Sequence, residues 1–252
     1  MVTVEEINTL LVVQARTSSR RLPEKVLKIV NGKAILEWQL LRVMETTNID
    51  QIVMATSEQR TDDPIQEIAE RCGIPTVRGS LDDVLSRFCA CIDCFKPRIV
   101  VRITGDCPMY MPRLCEQMLE AYWSEPVDYL SNTIPPTYPD GCDIEIFSTE
   151  AIRSLSSLEL TPMEKEHVTL GIYSRNKEFN CKNFQNISDE SQHRWTLDTA
   201  EDLEFVRAVY KEFSGREIVF TYNELMSFLK RGSGLARYDD GTMRNQAMRH
   251  VE

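Results

Sequence analysis

Between residues 14 and 25 the chain reads Gln14-Ala15-Arg16-Thr17-Ser18-Ser19-Arg20-Arg21-Leu22-Pro23-Glu24-Lys25, a run of guanidiniums and hydroxyls closed by an ammonium. Guanidinium groups pair with phosphate oxygens through parallel N–H donors, and backbone N–H groups in a turn add more. Such a loop suits a polyphosphate, while a solvated basic loop is the plainer reading of the same charges. Three acidic stretches downstream carry complementary chemistry. Asp106 sits in Thr104-Gly105-Asp106-Cys107-Pro108, Asp143 and Glu145 alternate after Tyr138-Pro139-Asp140-Gly141, and Asp198 closes Arg194-Trp195-Thr196-Leu197-Asp198. A carboxylate beside a phosphate site suits a hard divalent cation, which takes oxygen ligands. Each stretch also has a structural alternative: an Asx turn before Pro108, a solvated strand edge, and a helix cap at Asp198 or Thr199.

These side chains need elements to hold them. Leu10 to Val13 reads as a buried strand that empties into the basic loop. After the Asn31-Gly32 turn, Ile35 to Glu45 forms an amphipathic helix with Leu36, Leu40 and Val43 on one stripe and Trp38 near it. Gln51–Ser57 is a second strand. Asp62-Asp63-Pro64 caps a helix that runs to Cys72 and is closed by Gly73. Thr76-Val77 is a short third strand before Arg78-Gly79-Ser80, and Asp82 to Phe95 is a helix. Arg98 to Thr104 is a fourth strand, Arg113 to Trp123 a helix, and Asp128 to Ser131 a short strand. The Pro139-Asp140-Gly141 turn feeds an alternating strand that projects Asp143 and Glu145 from one face. A helix begins at Pro162, and Trp195-Thr196-Leu197 is a strand before a further capped helix. This β-α alternation implies an α/β, Rossmann-like fold with a mostly parallel central sheet and helices on both faces. Open sheets of this kind bind ligands outside the carboxyl ends of their strands, where the basic loop and Asp106 fall.

At 252 residues, 42% hydrophobic and 27% charged, the chain is one large domain or two small ones with ample core. The uninterrupted pattern favours one domain over 8–230, followed by a weakly patterned tail over 231–252. A net charge of −10 argues against a general nucleic-acid or membrane-surface binder. There is no apolar run of about 18 residues, and the N-terminal residues lack the basic and apolar regions of a signal peptide. The expected location is the cytoplasm. Cys89, Cys91 and Cys94 fall in one helix, with Cys91 and Cys94 on a shared face and Cys89 elsewhere. No second Cys/His pair follows at zinc-like spacing, so reduced thiols are expected rather than a metal.

The basic loop resembles the signature loop of the spore-coat polysaccharide biosynthesis protein F family of cytidylyltransferases, whose pattern is Gln-Ala-Arg-x-Gly-Ser-x-Arg-Leu-Pro-Gly-Lys-Val-Leu. The same family carries Arg-Ile-Thr-Gly-Asp-Cys-Pro, matched by residues 102–108, and Tyr-Pro-Asp-Gly-x-Asp-x-Glu-x-Phe, matched by 138–147. It also carries Glu-His-Val-Thr, matched by 166–169, and Arg-Trp-Thr-Val-Asp-Thr-Pro-Glu-Asp-Leu, close to 194–203. Ser18 and Glu24 stand where that family has Gly, Ala200 where it has Pro, and Leu170-Gly171-Ile172-Tyr173 where it continues Pro-Tyr-Ile. The resemblance spans about residues 10–210 and extends to the cytidylyltransferases of acylneuraminate and 3-deoxy-manno-octulosonate.

It implies a nucleotidyltransferase of the GT-A type that moves CMP from CTP to an acidic or amino-modified sugar, releases pyrophosphate, and serves surface polysaccharide or glycoconjugate synthesis. Arg16, Lys25 and Asp106 are then the catalytic candidates. Arg16, Arg21 and Lys25 hold the β- and γ-phosphates, with Ser18 and Ser19 adding donors. Gln14, Ala15, Thr56, Ser57, Gly79 and Ser80 stand near base and ribose. Asp140, Asp143, Glu145, Glu166, His167 and Arg194 face the acceptor, and Asp106 and Asp198 hold Mg2+. The partners implied are CTP and a small sugar, with no nucleic acid or membrane, and with a homodimer left open. Two rivals remain. A glycosyltransferase of the same fold would not need the Arg16, Arg21 and Lys25 set, and a catalytically silent nucleotide-binding subunit would bind CTP without turnover.

Overall fold

The computed structural model describes residues 7–231. Strand β1 (Thr9–Gln14) enters the basic loop, which ends in a 3-10 turn, Lys25–Leu27, and a small hairpin of β2 (Ile29–Val30) and β3 (Lys33–Ala34). Then follow α1 (Ile35–Val43), β4 (Gln51–Ser57), α2 (Asp63–Arg71), β5 (Thr76–Gly79), α3 (Val84–Phe95), β6 (Ile99–Thr104) and α4 (Pro112–Ser124). The second half holds β7 (Tyr129–Ser131), β8 (Glu145–Ser148), α5 (Thr149–Ser156), α6 (Pro162–Glu166), α7 (Leu170–Tyr173), β9 (Cys181–Asn183), α8 (Ala200–Glu212) and α9 (Tyr222–Lys230).

Seven strands form one sheet in the order β5-β4-β1-β6-β8-β7-β9. The first four pair in parallel, as the alternation implies. Beyond β6 the sheet is mixed, because β7 lands one place away and β8 fills the gap antiparallel to both neighbours. Burial of both faces explains why β1 reads as an unbroken apolar run. Leu11 and Val13 pack with α1, α2, α4, α8 and α9 on one side, and Leu10 and Val12 with α3, α5 and α7 on the other.

Four local expectations change. Asp62 does not cap α2; its side chain is taken by Thr17 and Ser57 instead, so a tertiary contact outcompetes the local one. The strand expected to carry both Asp143 and Glu145 begins only at Glu145, and Asp143 lies in the preceding loop. The helix opened by Pro162 breaks after Glu166, where Val168 has φ of 38°, a left-handed value that a β-branched residue seldom adopts. Trp195-Thr196-Leu197 runs outside any strand, with a single bridge from Asp140 to Arg194.

All eight cysteines are free thiols, and Cys91 is buried while Cys94 is exposed, since the inner face of α3 passes through Phe88, Cys91 and Ile92. No helix among the described residues is long and apolar enough to cross a membrane. The expected tail, beyond Arg231, lies outside the described residues.

Candidate active site

Backbone hydrogen bonds bring the two expected metal carboxylates together. The Gly105 N–H donates to the Gln14 carbonyl at 2.7 Å, so β6 and β1 exit the sheet side by side. Leu197 N–H donates to the Asp106 carbonyl at 2.9 Å and Trp195 N–H to the Asp140 carbonyl at 2.6 Å. The segment from His193 is thereby threaded between two turns and delivers Asp198 beside Asp106. The cap of α8 is Thr199, in a capping box with Asp202, which leaves the Asp198 side chain for other work.

That work is ionic. Lys25 Nζ lies 2.8 Å from Asp106 Oδ2 and 2.8 Å from Asp198 Oδ1. Arg21 reaches the same Asp198 Oδ1 at 3.0 Å, and Arg194 reaches Oδ2 at 2.9 Å. Burial alone would lower the Lys25 pKa, but the two carboxylates outweigh it and raise the pKa, so the ammonium stays charged. Burial likewise disfavours ionised Asp106, yet the charge and hydrogen bond of Lys25 carry its pKa down to about 2. Glu24, beside Lys25, has φ of 54° and ψ of 32°, the left-handed conformation that the glycine of the resembling pattern adopts without strain.

Arg194 is buried and binds three carboxylates. Besides Asp198 it meets Asp202 at 3.2 Å and Asp140 at 3.5 Å. Asp202 also accepts the N–H groups of Asp198 and Thr199, both at 2.9 Å. Burial opposes its ionisation, but Arg194 and these amides hold its pKa below the ordinary value. Arg194, expected on the acceptor side, is thus tied into the scaffold of Asp198. Asp143 is half-buried and acts electrostatically on Cys107, as Asp106 and Asp140 do, which places it by the Asp106 turn.

On the α3 side of the sheet a second polar cluster forms. Glu145 accepts hydrogen bonds from Arg102, Tyr129 Oη (2.6 Å) and Thr169 Oγ1 (2.5 Å), and Arg102 Nε donates to Gln14 Oε1 at 3.1 Å. Arg16 pairs with Glu166 at 3.0 Å, and both are half-exposed. Burial lowers the His167 pKa; Glu166 opposes this, while Arg102 and Arg16 add to it, so the imidazole is neutral near pH 7. Asp62 fixes the base of the loop, accepting Thr17 N–H (2.8 Å), Thr17 Oγ1 (2.6 Å) and Ser57 Oγ (2.5 Å).

The remaining expected residues fall around these clusters. Thr56 Oγ1 donates to the carbonyl of Ala15, and both residues are buried. Ser18 is exposed, and Ser19 receives the Leu22 N–H at 3.4 Å. Gly79 ends β5, and Ser80 Oγ accepts the Asp83 N–H before α3. A groove of about 800 Å3 lined by Tyr138, Phe184, Ile187 and Tyr222, among others, contains none of these residues. Arg102, Asp62 and Arg87 join these clusters without having been expected as site residues. The signal for Arg102 and Arg87 was a lone charge inside an apolar strand and an apolar helix stripe; Asp62 carried none, because capping explained it.

No group of three or more His, Cys, Asp or Glu side chains placed to hold a metal ion occurs among the described residues. Asp106 and Asp198, two hard oxygen donors already sharing one cation, nevertheless fit Mg2+, which takes one or two carboxylates and completes its shell with phosphates and water.

The cytidylyltransferase family model matches residues 10–228. The chain belongs to the cytidylyltransferase family. It is 32% identical over 235 residues to the spore coat polysaccharide biosynthesis protein SpsF of Bacillus subtilis, covering 90% of this chain and 96% of that protein. A cytidylyltransferase structure from Leptospira borgpetersenii superposes with a TM-score of 0.87 at 28% identity, over 95% of this chain and 100% of that one. The structure of CMP:2-keto-3-deoxy-manno-octonic acid synthetase complexed with CTP gives 0.64 at 20% identity, over 81% and 99%, a likeness of fold. The family's fold, a sheet of parallel core strands flanked by helices, is the one described above.

Proposed function

We propose that this cytidylyltransferase transfers CMP from CTP to a hydroxyl of an acidic or amino-modified sugar, with 3-deoxy-manno-octulosonate among the candidates. The acceptor oxygen bonds to the α-phosphorus, the bond from that phosphorus to the α–β bridging oxygen breaks, pyrophosphate leaves, and the hydroxyl proton passes to water. The observation that carries the reading is Lys25 Nζ at 2.8 Å from both Asp106 and Asp198, which joins a basic loop to a carboxylate pair at the strand ends.

Arg16, Arg21 and Lys25 take the β- and γ-phosphates, exchanging their present carboxylate partners for phosphate oxygens. Asp106 and Asp198 would hold Mg2+, which when bound would supply charge neutralisation and polarisation at the α-phosphate. Arg194 keeps Asp198 in place through Asp202 and Asp140. Neutral His167 accepts a hydrogen bond from the sugar, and Asp143, by the Asp106 turn, meets the acceptor. Catalysis then consists of positioning and preorganised charge.

Pyrophosphate release is the test, measured with each of the four nucleoside triphosphates, Mg2+ and a panel of sugar acids and amino sugars. Turnover with CTP alone, abolished in Asp106→Ala, is expected. Turnover with a nucleotide-sugar donor and no pyrophosphate would sink the proposal, as would CTP binding without turnover across the panel.

A further inference from the structure

Arg87, on α3, is 1% exposed, and none of its three guanidinium nitrogens has a hydrogen-bond partner among the described residues. The contrast with Arg42 gives this meaning. Arg42 is as deeply buried, but it donates to the carbonyls of Tyr110, Glu217, Ile218 and Phe220 and stacks 3.8 Å from the Phe220 ring. Arg42 is therefore a cross-link of the core, with its donors used. Arg87 cross-links none of the described residues. A buried charge without partners is destabilising, and an apolar side chain of similar volume would fill the space without that penalty.

The stem of Arg87 is fixed. A Cβ at Gly79 would stand 2.8 Å from Arg87 Cγ, so the last residue of β5 is small enough to let the stem pass. The charged groups acting on the guanidinium include Arg16 and Arg102, which repel it, and Asp62, which attracts it. Asp62 is already committed to Thr17 and Ser57, Arg102 to Glu145, and Arg16 to Glu166. Burial and the two arginines lower the Arg87 pKa to about 10, which leaves it charged at neutral pH. Five N–H donors and a positive charge thus sit beside the end of β5, with no acceptor offered by the described residues.

We propose that Arg87 is an oxyanion-binding residue of the substrate cleft, whose guanidinium receives a carboxylate or phosphate of a bound substrate when the half-exposed Arg16–Glu166 pair parts. The proposal rests on the cytidylyltransferase reading for its two sources of oxyanion, the acceptor's carboxylate and the nucleotide's phosphates. A binding role and a structural role predict opposite changes on removing the charge.

Arg87→Met and Arg87→Lys are compared with the wild type by thermal unfolding and by calorimetric titration with three probes: orthophosphate, CTP and 3-deoxy-manno-octulosonate. In the ligand-free protein Arg87→Met is expected to raise Tm by about 2 °C or more, because an unpaired buried charge is gone. At least one probe that binds the wild type is expected to bind Arg87→Met tenfold or more weakly, and Arg87→Lys in between. Weaker binding confined to the sugar acid assigns the oxyanion to the acceptor; weaker binding of CTP and orthophosphate assigns it to the nucleotide. Equal affinities for every probe, or no binding of any probe by the wild type, overturn the proposal whatever the Tm. If Arg87→Met does not fold, Arg87→Lys carries the same comparison. A wild type that binds the sugar acid or orthophosphate but not CTP would sink the cytidylyltransferase reading and leave Arg87 standing.

Discussion

Replacing Lys25 with Met separates two functions that the wild type combines. In the free chain the ammonium occupies the place between Asp106 and Asp198 that a divalent cation would take, at 2.8 Å from each. A metal ion must first displace it from both. Hydrogen bonds to charged groups contribute about 1.5–3 kcal/mol each. Asp106 is 31% exposed, so its share is screened and belongs at or below the low end. Arg21 and Arg194 stay on Asp198 in the mutant, which keeps that carboxylate partly neutralised. A net cost of displacement of about 1.5–3 kcal/mol remains, so Lys25→Met should bind Mn2+ roughly tenfold to a hundredfold more tightly when no nucleotide is present. Nucleotide affinity should move the other way by a similar factor, because in the proposed function Lys25, once displaced by a metal ion, is the group that meets the phosphates. Mn2+ binding is read by electron paramagnetic resonance and CTP binding by calorimetry, with Asp106→Asn as the control that removes the metal. The reasoning fails if Lys25→Met binds Mn2+ no better than the wild type, or if metal and nucleotide affinities fall together.

Three further outcomes follow from single positions. Glu24→Gly relieves a left-handed residue, worth about 1–2 kcal/mol for a non-glycine, against the entropy that glycine adds to the unfolded chain. A net gain of about 0.5–1 kcal/mol, or a Tm higher by about 1–4 °C, is expected; a lower Tm would contradict it. Gly141→Ala places a Cβ 2.7 Å from the Trp195 carbonyl carbon and 2.8 Å from the Thr196 nitrogen, at φ of 106°. Backbone cannot yield there, so a loss of roughly 2 kcal/mol or more in urea unfolding should accompany weaker Mn2+ binding as the Asp198 segment shifts. Asp62 has a folded pKa lowered from 3.8, because Ser57 and Thr17 outweigh its burial. Its contribution is complete above the ordinary carboxylate range and disappears as pH falls through the lower folded value. Urea midpoints between pH 5 and pH 2 should therefore fall less steeply in Asp62→Asn than in the wild type, and identical slopes would refute the assignment.

The parts of the fold legible in the sequence are those that local pattern determines. β1 is apolar on both faces because it is central and covered on both sides, which buries Leu10 through Val13. Gln51–Ser57 matches β4 residue for residue, and α1 keeps its expected stripe, with Leu36, Leu40 and Val43 buried. The misses fall where distant residues outbid neighbours. Asp62 had a good local use as a cap and a better distant one, since Thr17 and Ser57 offer three donors against the one that capping supplies. The sheet turns mixed past β6 because β8 inserts between two strands, and nothing in the residues 145–148 encodes which neighbour they will find. Thr199 takes the cap that Asp198 could have taken, and a sequence containing both cannot say which. That choice decides the chemistry: with Thr199 on the helix, Asp198 turns to Lys25, Arg21 and Arg194, and the carboxylate pair exists only because of it. A helix cap, worth about 1 kcal/mol, thus leaves Asp198 to pair with Lys25, Arg21 and Arg194.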